Sequence, residues 1–315
     1  MNRFKDKVVL VTGGNRNTGL WLVKKFVDEG ARVFTCGSSL ASTVSGVESL
    51  KVMLGSDKVC LSSGAREAQA EAGTVEPQSD VAETPLDVAE TLKDAKVIAQ
   101  VCDVSNKEQV DALMDLIERE VGTLDILVNN AANQGIGHGG PLEMDPAKIR
   151  EVFNVNVVGG FQVTQAACNR FFMKKPRPRV GTGAQGREVL GDRGVVVFLS
   201  SNTAMRAIRK RTAYCASKGA INSMVRALAL DLSPLGIRVN CCAPGYINTS
   251  RWDVLDPKVA ARRRANCPLG REASGMDIAN VVAFLASEDS GNMAGEIVTC
   301  DAGCSCQHMP QDVDC

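Results

Sequence analysis

The sequence has no stretch of about 18 consecutive apolar residues, the length a helix needs to cross a bilayer, so no membrane span is expected. Its amino end, Met1-Asn-Arg-Phe-Lys-Asp-Lys7, lacks the apolar run of about 7–15 residues and the small-residue cleavage site of a signal peptide. A cytoplasmic location is expected. There is no excess charge of either sign, since 36 Lys and Arg balance 36 Asp and Glu. Nucleic acid and membrane surfaces therefore have no electrostatic claim as partners. Histidine is nearly missing, at two residues. No metal is expected: Cys300, Cys304, Cys306 and His308 fall close together, but no second Cys/His pair stands at finger-like spacing. What abounds is cysteine, twelve in all, scattered and partly inside apolar runs. That distribution fits buried reduced thiols rather than a disulfide framework. The 44% hydrophobic content suffices for a sizeable core.

Strand-like apolar runs alternate with helix-like segments almost from end to end. The runs are Lys7–Thr12, Arg32–Cys36, Val97–Asp103, Asp125–Asn129, Gly194–Ser200, Ile237–Ala243 and Glu296–Cys300. After the first, Leu22, Val23, Phe26 and Val27 recur at helical spacing, and Gly30 sits where that helix would stop. Ser105 and Glu108 form a capping-box pattern ahead of Val110, Leu113, Met114 and Ile117. Asp145-Pro146 reads as an N-cap with proline in the first turn, opening a long helix through Met173. Continuous apolar strands between amphipathic helices predict the α/β class. The expectation is one doubly wound domain over residues 1–315, a parallel sheet of about seven strands with helices on both faces. Surface insertions are expected at about 40–95 and 175–193. Within the first, polar Ser62–Thr84 is expected to be a mobile excursion.

Between the first run and the first helix lies Thr12-Gly-Gly-Asn-Arg-Asn-Thr-Gly19. A strand, a glycine-rich turn and a helix N-terminus offer backbone N–H groups to a pyrophosphate, although such a turn can also be a plain tight connection. Cys102-Asp103-Val104, Asn129-Asn130-Ala131-Ala132 and Pro244-Gly-Tyr-Ile-Asn-Thr249 end later strands, where an open α/β sheet binds its ligands. Tyr214-Cys-Ala-Ser-Lys218 sets a phenol and an ammonium four residues apart on one helix face. A phenol with pKa near 10 is a poor acid–base group at pH 7. A cation about 4 Å away favours phenolate by up to ~4 kcal/mol at an effective dielectric of ~20, roughly three pKa units. Alone, such a pair is more often an ordinary helix face.

Together these motifs resemble the short-chain dehydrogenase/reductase family, over the whole chain except the two insertions. The loop is similar to the family's Thr-Gly-x-x-x-Gly-x-Gly, with Asn17 at the middle glycine; Asn tolerates left-handed backbone better than other non-glycine residues, so the turn is expected to survive. The resemblance implies a Rossmann-type fold and a nicotinamide cofactor. Its contacts would be Gly13, Asn15, Arg16, Thr18, Gly19, Ser38, Ser39, Asp103, Val104, Asn130, Tyr214, Lys218, Pro244, Gly245, Ile247 and Thr249. It implies catalysis by Asn156, Ser201, Tyr214 and Lys218, with the neighbouring Ser200 and Asn154 read as strand packing and helix surface.

An NAD enzyme usually presents an acid at the end of its second strand. This chain has Gly37-Ser38-Ser39 there and Arg16 in the loop, and a guanidinium suits a phosphate. NADP is therefore favoured over NAD. The implied reaction interconverts a small-molecule carbonyl and a secondary alcohol by hydride transfer, in a branch resembling 3-oxoacyl-carrier-protein reductases. A homodimer or homotetramer, joined through the helices after the fourth and fifth strands, is also implied. A catalytically silent NADP-binding regulatory protein is the alternative, kept open by Asn17, Ala132 and Ala302. Arg206, Arg209, Lys210 and Arg211 crowd the segment before Tyr214, and a solvated or interface patch is favoured there over a site for an anionic substrate.

Overall fold

The computed structural model describes residues 2–71, 94–182, 188–249 and 254–308, together with Gly186 and Trp252. The strands of its main sheet are β1 (Val8–Thr12), β2 (Arg32–Gly37), β3 (Val59–Leu61), β4 (Val97–Val101), β5 (Ile126–Asn129), β8 (Gly194–Leu199), β9 (Ile237–Pro244) and β10 (Ile297–Cys300). β6 (Arg179–Thr182) and β7 (Glu188–Leu190) pair with each other in a separate antiparallel hairpin. The eight main strands run parallel in the order β10-β9-β8-β5-β1-β2-β4-β3.

β1 shows why its sequence is apolar without a break. Leu10 packs into one buried cluster with Phe34, Leu127 and Phe198, while Val9 and Val11 pack into the other with Val33, Val128 and Val197. Successive side chains point to opposite faces, so a strand covered on both sides must be apolar throughout. Leu113, Met114, Val163, Ala167, Ile221 and Val225 bring three helices onto the first face. Leu22, Phe26, Val47, Leu50, Ile278 and Val282 bring three onto the second.

All the expected strands are present, their ends displaced by a residue or two, and Gly30 stops the first helix at φ +95°. The eighth strand, β3, lies inside the segment expected to be an insertion. That expectation needs correcting for the described part of 40–95. Leu40–Leu54 is a helix that buries Thr43, Val47 and Leu50, and Ser63–Glu71 is a helix whose Ala65 is 1% exposed. Ser62 is buried and bonds Gln100, so the expected excursion fails at its start. Three strand residues and small helical ones leave little apolar signal, yet they complete an edge of the sheet. Residues 72–84 of the expected excursion lie outside the described residues. The segment 175–193 carries the exposed β6–β7 hairpin.

Two local expectations also shift. Asn106 rather than Ser105 caps the helix Lys107–Val121, accepting from Gln109 N–H at 2.9 Å, because Ser105 Oγ turns back to Asp103 at 2.8 Å. The long helix capped by Asp145 runs as Pro146–Phe153, a wide π turn over Asn154–Gly159, and Gly160–Arg170, ending before Met173. Such π turns concentrate at functional sites. Since β2 leaves β1 on one side and β5 pairs on the other, a crevice opens at their carboxyl ends, as at any switch point of a doubly wound sheet.

Candidate active site

Two clefts open along that sheet edge. The first, of about 590 Å³, has a floor made of main chain. Gly13 holds φ +64°, and a Cβ there would come within 2.9 Å of Ala131 Cα. A Cβ on Gly19 would come within 2.2 Å of the Gly13 carbonyl oxygen. Only glycine fits at either place, so the turn stays narrow against the N-terminus of the helix Thr18–Asp28, whose first-turn N–H groups suit a phosphate. Asn17 takes φ 49° and ψ −127°, a positive φ as the turn requires. Asn130 Nδ2 donates to the carbonyls of Thr12 and Gly13, each at 2.9 Å, while Thr12 Oγ1 accepts from the Asn130 and Ala131 N–H groups. Asn130 thus braces the turn. Asn15, 6% exposed, ties it to the next helix by donating to the Ser42 carbonyl at 2.9 Å. A turn that glycine keeps this narrow at a helix N-terminus is what a dinucleotide pyrophosphate needs.

Arg16 and Ser38 line the same cleft, both exposed, and among the described residues no carboxylate pairs with Arg16. Ser39 does not line it: its Oγ caps the helix Leu40–Leu54, accepting from Ser42 N–H at 3.3 Å. Ser42 lines it instead, which no sequence motif signalled. Asp103 and Val104 stand at the far wall, where the Asp103 carboxylate accepts from Ser105 N–H at 2.9 Å.

The second cleft, of about 500 Å³, meets the first at Asn17, Thr18, Gln134 and Ile136. Ser201, Tyr214, Gly245, Ile247 and Thr249 line it. Pro244 lies beneath, its carbonyl accepting from Ser201 Oγ at 3.4 Å. Lys218 is 2% exposed, donates Nζ to the Leu199 carbonyl at 2.7 Å and sits over the Tyr214 ring, 5.6 Å from its centroid. Burial pushes its pKa down to about 8. Asn156, 3% exposed within the π turn, spends its side chain on structure. Its Nδ2 donates to the Asn133 carbonyl and to Ser217 Oγ, each at 2.9 Å, and its Oδ1 accepts from Asn133 N–H at 2.7 Å. It therefore locks the loop after β5 to the helix Thr212–Leu232 that carries Tyr214 and Lys218. Ser200 Oγ donates to the Lys218 carbonyl and Asn154 is exposed, in keeping with packing and surface roles.

The chain's other tyrosine, Tyr246, lines this cleft too. Burial pushes its phenol up, and the cation stacked on it is Arg263. Of the basic run, Arg206 and Arg211 reach the cleft, whereas Arg209 and Lys210 are exposed outside its lining. Trp252, Arg263 and Gln307 also line it, and no short motif marked them. Seven of the described cysteines are buried as free thiols. Among the described residues no His, Cys, Asp and Glu gather into a group able to hold a metal, and no helix is long and apolar enough to cross a membrane.

Residues 61–305 match a family model described as enoyl-(acyl carrier protein) reductase. The chain belongs to the short-chain dehydrogenase/reductase family. It is 30% identical to a 3alpha-hydroxysteroid dehydrogenase of Mediterraneibacter gnavus, over 94% of this chain and 96% of that one. It is 27% identical to the 3-oxoacyl-[acyl-carrier-protein] reductase MabA of Mycobacterium avium, over 97% and 92%. The solved structure of gox2181 superposes with a TM-score of 0.71 at 26% identity, covering 97% of this chain and 98% of that one. As a short-chain dehydrogenase/reductase, the chain is an oxidoreductase acting on CH–OH or C=O groups with a nicotinamide cofactor. Nothing in these likenesses supports a catalytically silent protein.

Proposed function

We propose that the enzyme uses NADP to interconvert a small-molecule carbonyl and a secondary alcohol, with Tyr214 as proton donor and acceptor. The observation that carries this reading is the buried Lys218 ammonium over the Tyr214 ring, in the wall of a cleft that opens onto the bare glycine turn. Gly13, Arg16, Thr18, Gly19, Ser38, Asp103 and Val104 would hold the cofactor's adenosine and phosphate half, braced by Asn15 and Asn130. Gly245, Ile247 and Thr249 would meet its nicotinamide half. Ser39 and Pro244 would act beneath this layer, as helix cap and hydrogen-bond acceptor. When bound, NADPH supplies the hydride to the carbonyl carbon.

The chain's own residues manage charge and protons. Ser201 Oγ gives up its long 3.4 Å bond to the Pro244 carbonyl and donates to the substrate oxygen. Tyr214 passes its proton to the same oxygen. Lys218 favours the phenolate left behind, because an ammonium in a dry wall acts through a low dielectric. Asn156 positions these groups, and since its side chain is committed, any proton-relaying water would be held by main chain.

The choice of NADP rests on Arg16, on Ser38 and on the missing acid at the end of β2. Titration of both cofactors by fluorescence tests it. A charge-assisted hydrogen bond contributes about 1.5–3 kcal/mol, so Arg16→Ala should weaken NADPH roughly 10- to 150-fold and leave NADH nearly unchanged. Ser38→Asp should turn preference toward NADH. Gly37 is the wrong place for that acid, because a Cβ there would lie 2.4 Å from Asn15 Nδ2. A wild type that prefers NADH, or an Arg16→Ala variant weakened equally for both, would reject NADP.

One working domain and a dimer or tetramer complete the proposal. Val158 and Phe161 expose apolar side chains on the helix after β5, and Leu230 does so on the helix after β8. Light scattering at micromolar concentration reads the outcome, and a monomer would reject it.

A further inference from the structure

Three arginines line the second cleft, and among the described residues lining it there is no Asp or Glu. Two of the three are engaged by main chain. Arg206 donates to the carbonyls of Cys304 and Gln307, and Arg211 to that of Gln134. Arg263 differs. It comes from the helix Pro257–Ala265, and its guanidinium carbon lies 5.6 Å from the Tyr246 ring centroid and 5.7 Å from that of Trp252. The two rings meet edge to face, 6.4 Å apart at 83°. Stacking of this kind fixes a guanidinium's place while leaving its N–H donors for another group. The adjacent Arg264 shows the other fate: it also stacks on Trp252, but spends its donors on Glu272 at 2.8 and 2.9 Å. No carboxylate meets Arg263 among the described residues.

We propose that the substrate carries, besides its reacting carbonyl, an anionic oxygen group that Arg263 receives. The proposal rests on the reductase reading above and names the substrate class it requires: a carbonyl compound ending in a carboxylate or phosphate. A guanidinium presents paired N–H donors that match two such oxygens. The cofactor's own phosphates are provided for elsewhere, since Arg16 and the glycine turn line the first cleft and Arg263 the second. Tyr246 and Trp252 would wall the apolar stretch between the two ends of the substrate.

The test compares series of straight-chain and cyclic keto acids with their methyl esters and with keto phosphates of matched length. Wild type should favour the charged members, and whichever of carboxylate or phosphate gives the higher kcat/KM names the group. Arg263→Gln should lower kcat/KM for the charged substrates roughly 10- to 150-fold, the loss of one charge-assisted contact, mostly through KM. The esters should keep their rates, and Arg263→Lys should recover part of the loss. An ester used as well as its acid by wild type, or an equal loss for both in Arg263→Gln, would overturn the proposal while leaving the reductase reading intact. Should no carbonyl in the series be turned over, the rates do not read the anion site and binding takes their place. Binding still decides the anion site, through Trp252 fluorescence in a Trp21→Phe background. Quenching by the acid but not the ester, lost in Arg263→Gln, supports it, and equal or absent quenching rejects it.

Discussion

The two clefts share Asn17 and Gln134 at their junction but are built in opposite ways. The first takes its shape from atoms that are missing: the Cβ positions at Gly13 and Gly19 fall on main chain, and short Asn and Thr side chains brace the turn from β1 and β5. The second takes its shape from side chains, brought by the segments after β8 and β9, the helix Pro257–Ala265 and the C-terminal segment. A main-chain floor recognises what all its ligands have in common, while side chains set which ligand is chosen. Damage to the first should therefore be general, and damage to the second selective.

Tyr214 lines the second cleft beside the buried Lys218, and its removal should have the largest effect. Tyr214→Phe should cost about 10²–10⁴-fold in turnover, the usual worth of a positioned acid–base group. NADPH affinity should stay within a few-fold, because the ring remains over Lys218. Steady-state kinetics with a cofactor titration reads both. Tyr246→Phe is the control: with its phenol pushed up by burial and no lysine over its ring, it should leave most of the rate. If Tyr246→Phe proves the more damaging, the proton role belongs there.

Gly19→Ala should come next and should be unselective. The atoms its Cβ meets, the Gly13 carbonyl oxygen at 2.2 Å and Gly14 Cα at 2.7 Å, are backbone and cannot swing aside. Overpacking of this kind costs about 1–3 kcal/mol. A thermal melt should show the loss, and NADPH and NADH should weaken together, unlike the one-sided effect expected of Arg16→Ala. Weakening of NADPH alone would break the contrast between the clefts.

The same contrast explains what could be read from residues alone. The glycine turn and its braces were legible because glycine, Asn and Thr at fixed spacings dictate backbone shape locally, and each motif ends a strand whose apolar run is unmistakable. Tyr214 and Lys218 were legible because a helix relates them by four residues. Arg263, Trp252 and Gln307 were not, since they come together only through tertiary packing. Neither was Ser42 in place of Ser39, because a helix cap and a phosphate contact both call for a hydroxyl. β3 hid for another reason: three buried residues at a sheet edge carry too little periodicity to stand apart from a polar connection.

The buried lysine lends the second cleft a pH dependence that the glycine floor lacks. With its pKa lowered to about 8, Lys218 loses its charge above that pH, so reductive kcat/KM should fall with an alkaline midpoint near 8. Its effect on stability has the opposite sign. The folded value lies below the ordinary 10.5, so between about pH 8 and 10.5 the unfolded chain binds more protons and this contribution rises with pH. Buried thiols oppose it. Burial pushes Cys168 up to about 11 and Cys241 up to about 12, so their share of stability is lost as pH rises past the ordinary thiol value. The lysine contribution is thus the difference between wild type and Lys218→Met in urea melts across that range, and a difference independent of pH would reject it.

The smallest effect tests two non-glycine turn residues held at positive φ. Ala302 holds φ +56° and Asn17 holds φ +49°, both where a side chain costs energy that glycine avoids. A left-handed alanine is strained by about 1–2 kcal/mol, and glycine returns about 0.4–1 kcal/mol of that by loosening the unfolded chain. Ala302→Gly should therefore stabilise by about 0.5–1 kcal/mol, a rise of roughly 2 °C in Tm. Asn17 has less excuse than its type suggests. Its ψ of −127° lies outside the left-handed helical region in which Asn is tolerated, and its side chain makes no capping bond. Asn17→Gly should gain at least as much as Ala302→Gly and should hold or tighten both nicotinamide cofactors, since the N–H groups of the turn then reach their places unstrained. The two gains should add in the double variant, because each substitution relieves the strain of its own turn. A fall in Tm for Asn17→Gly would mean that the asparagine side chain, and not the turn alone, holds the junction of the two clefts together.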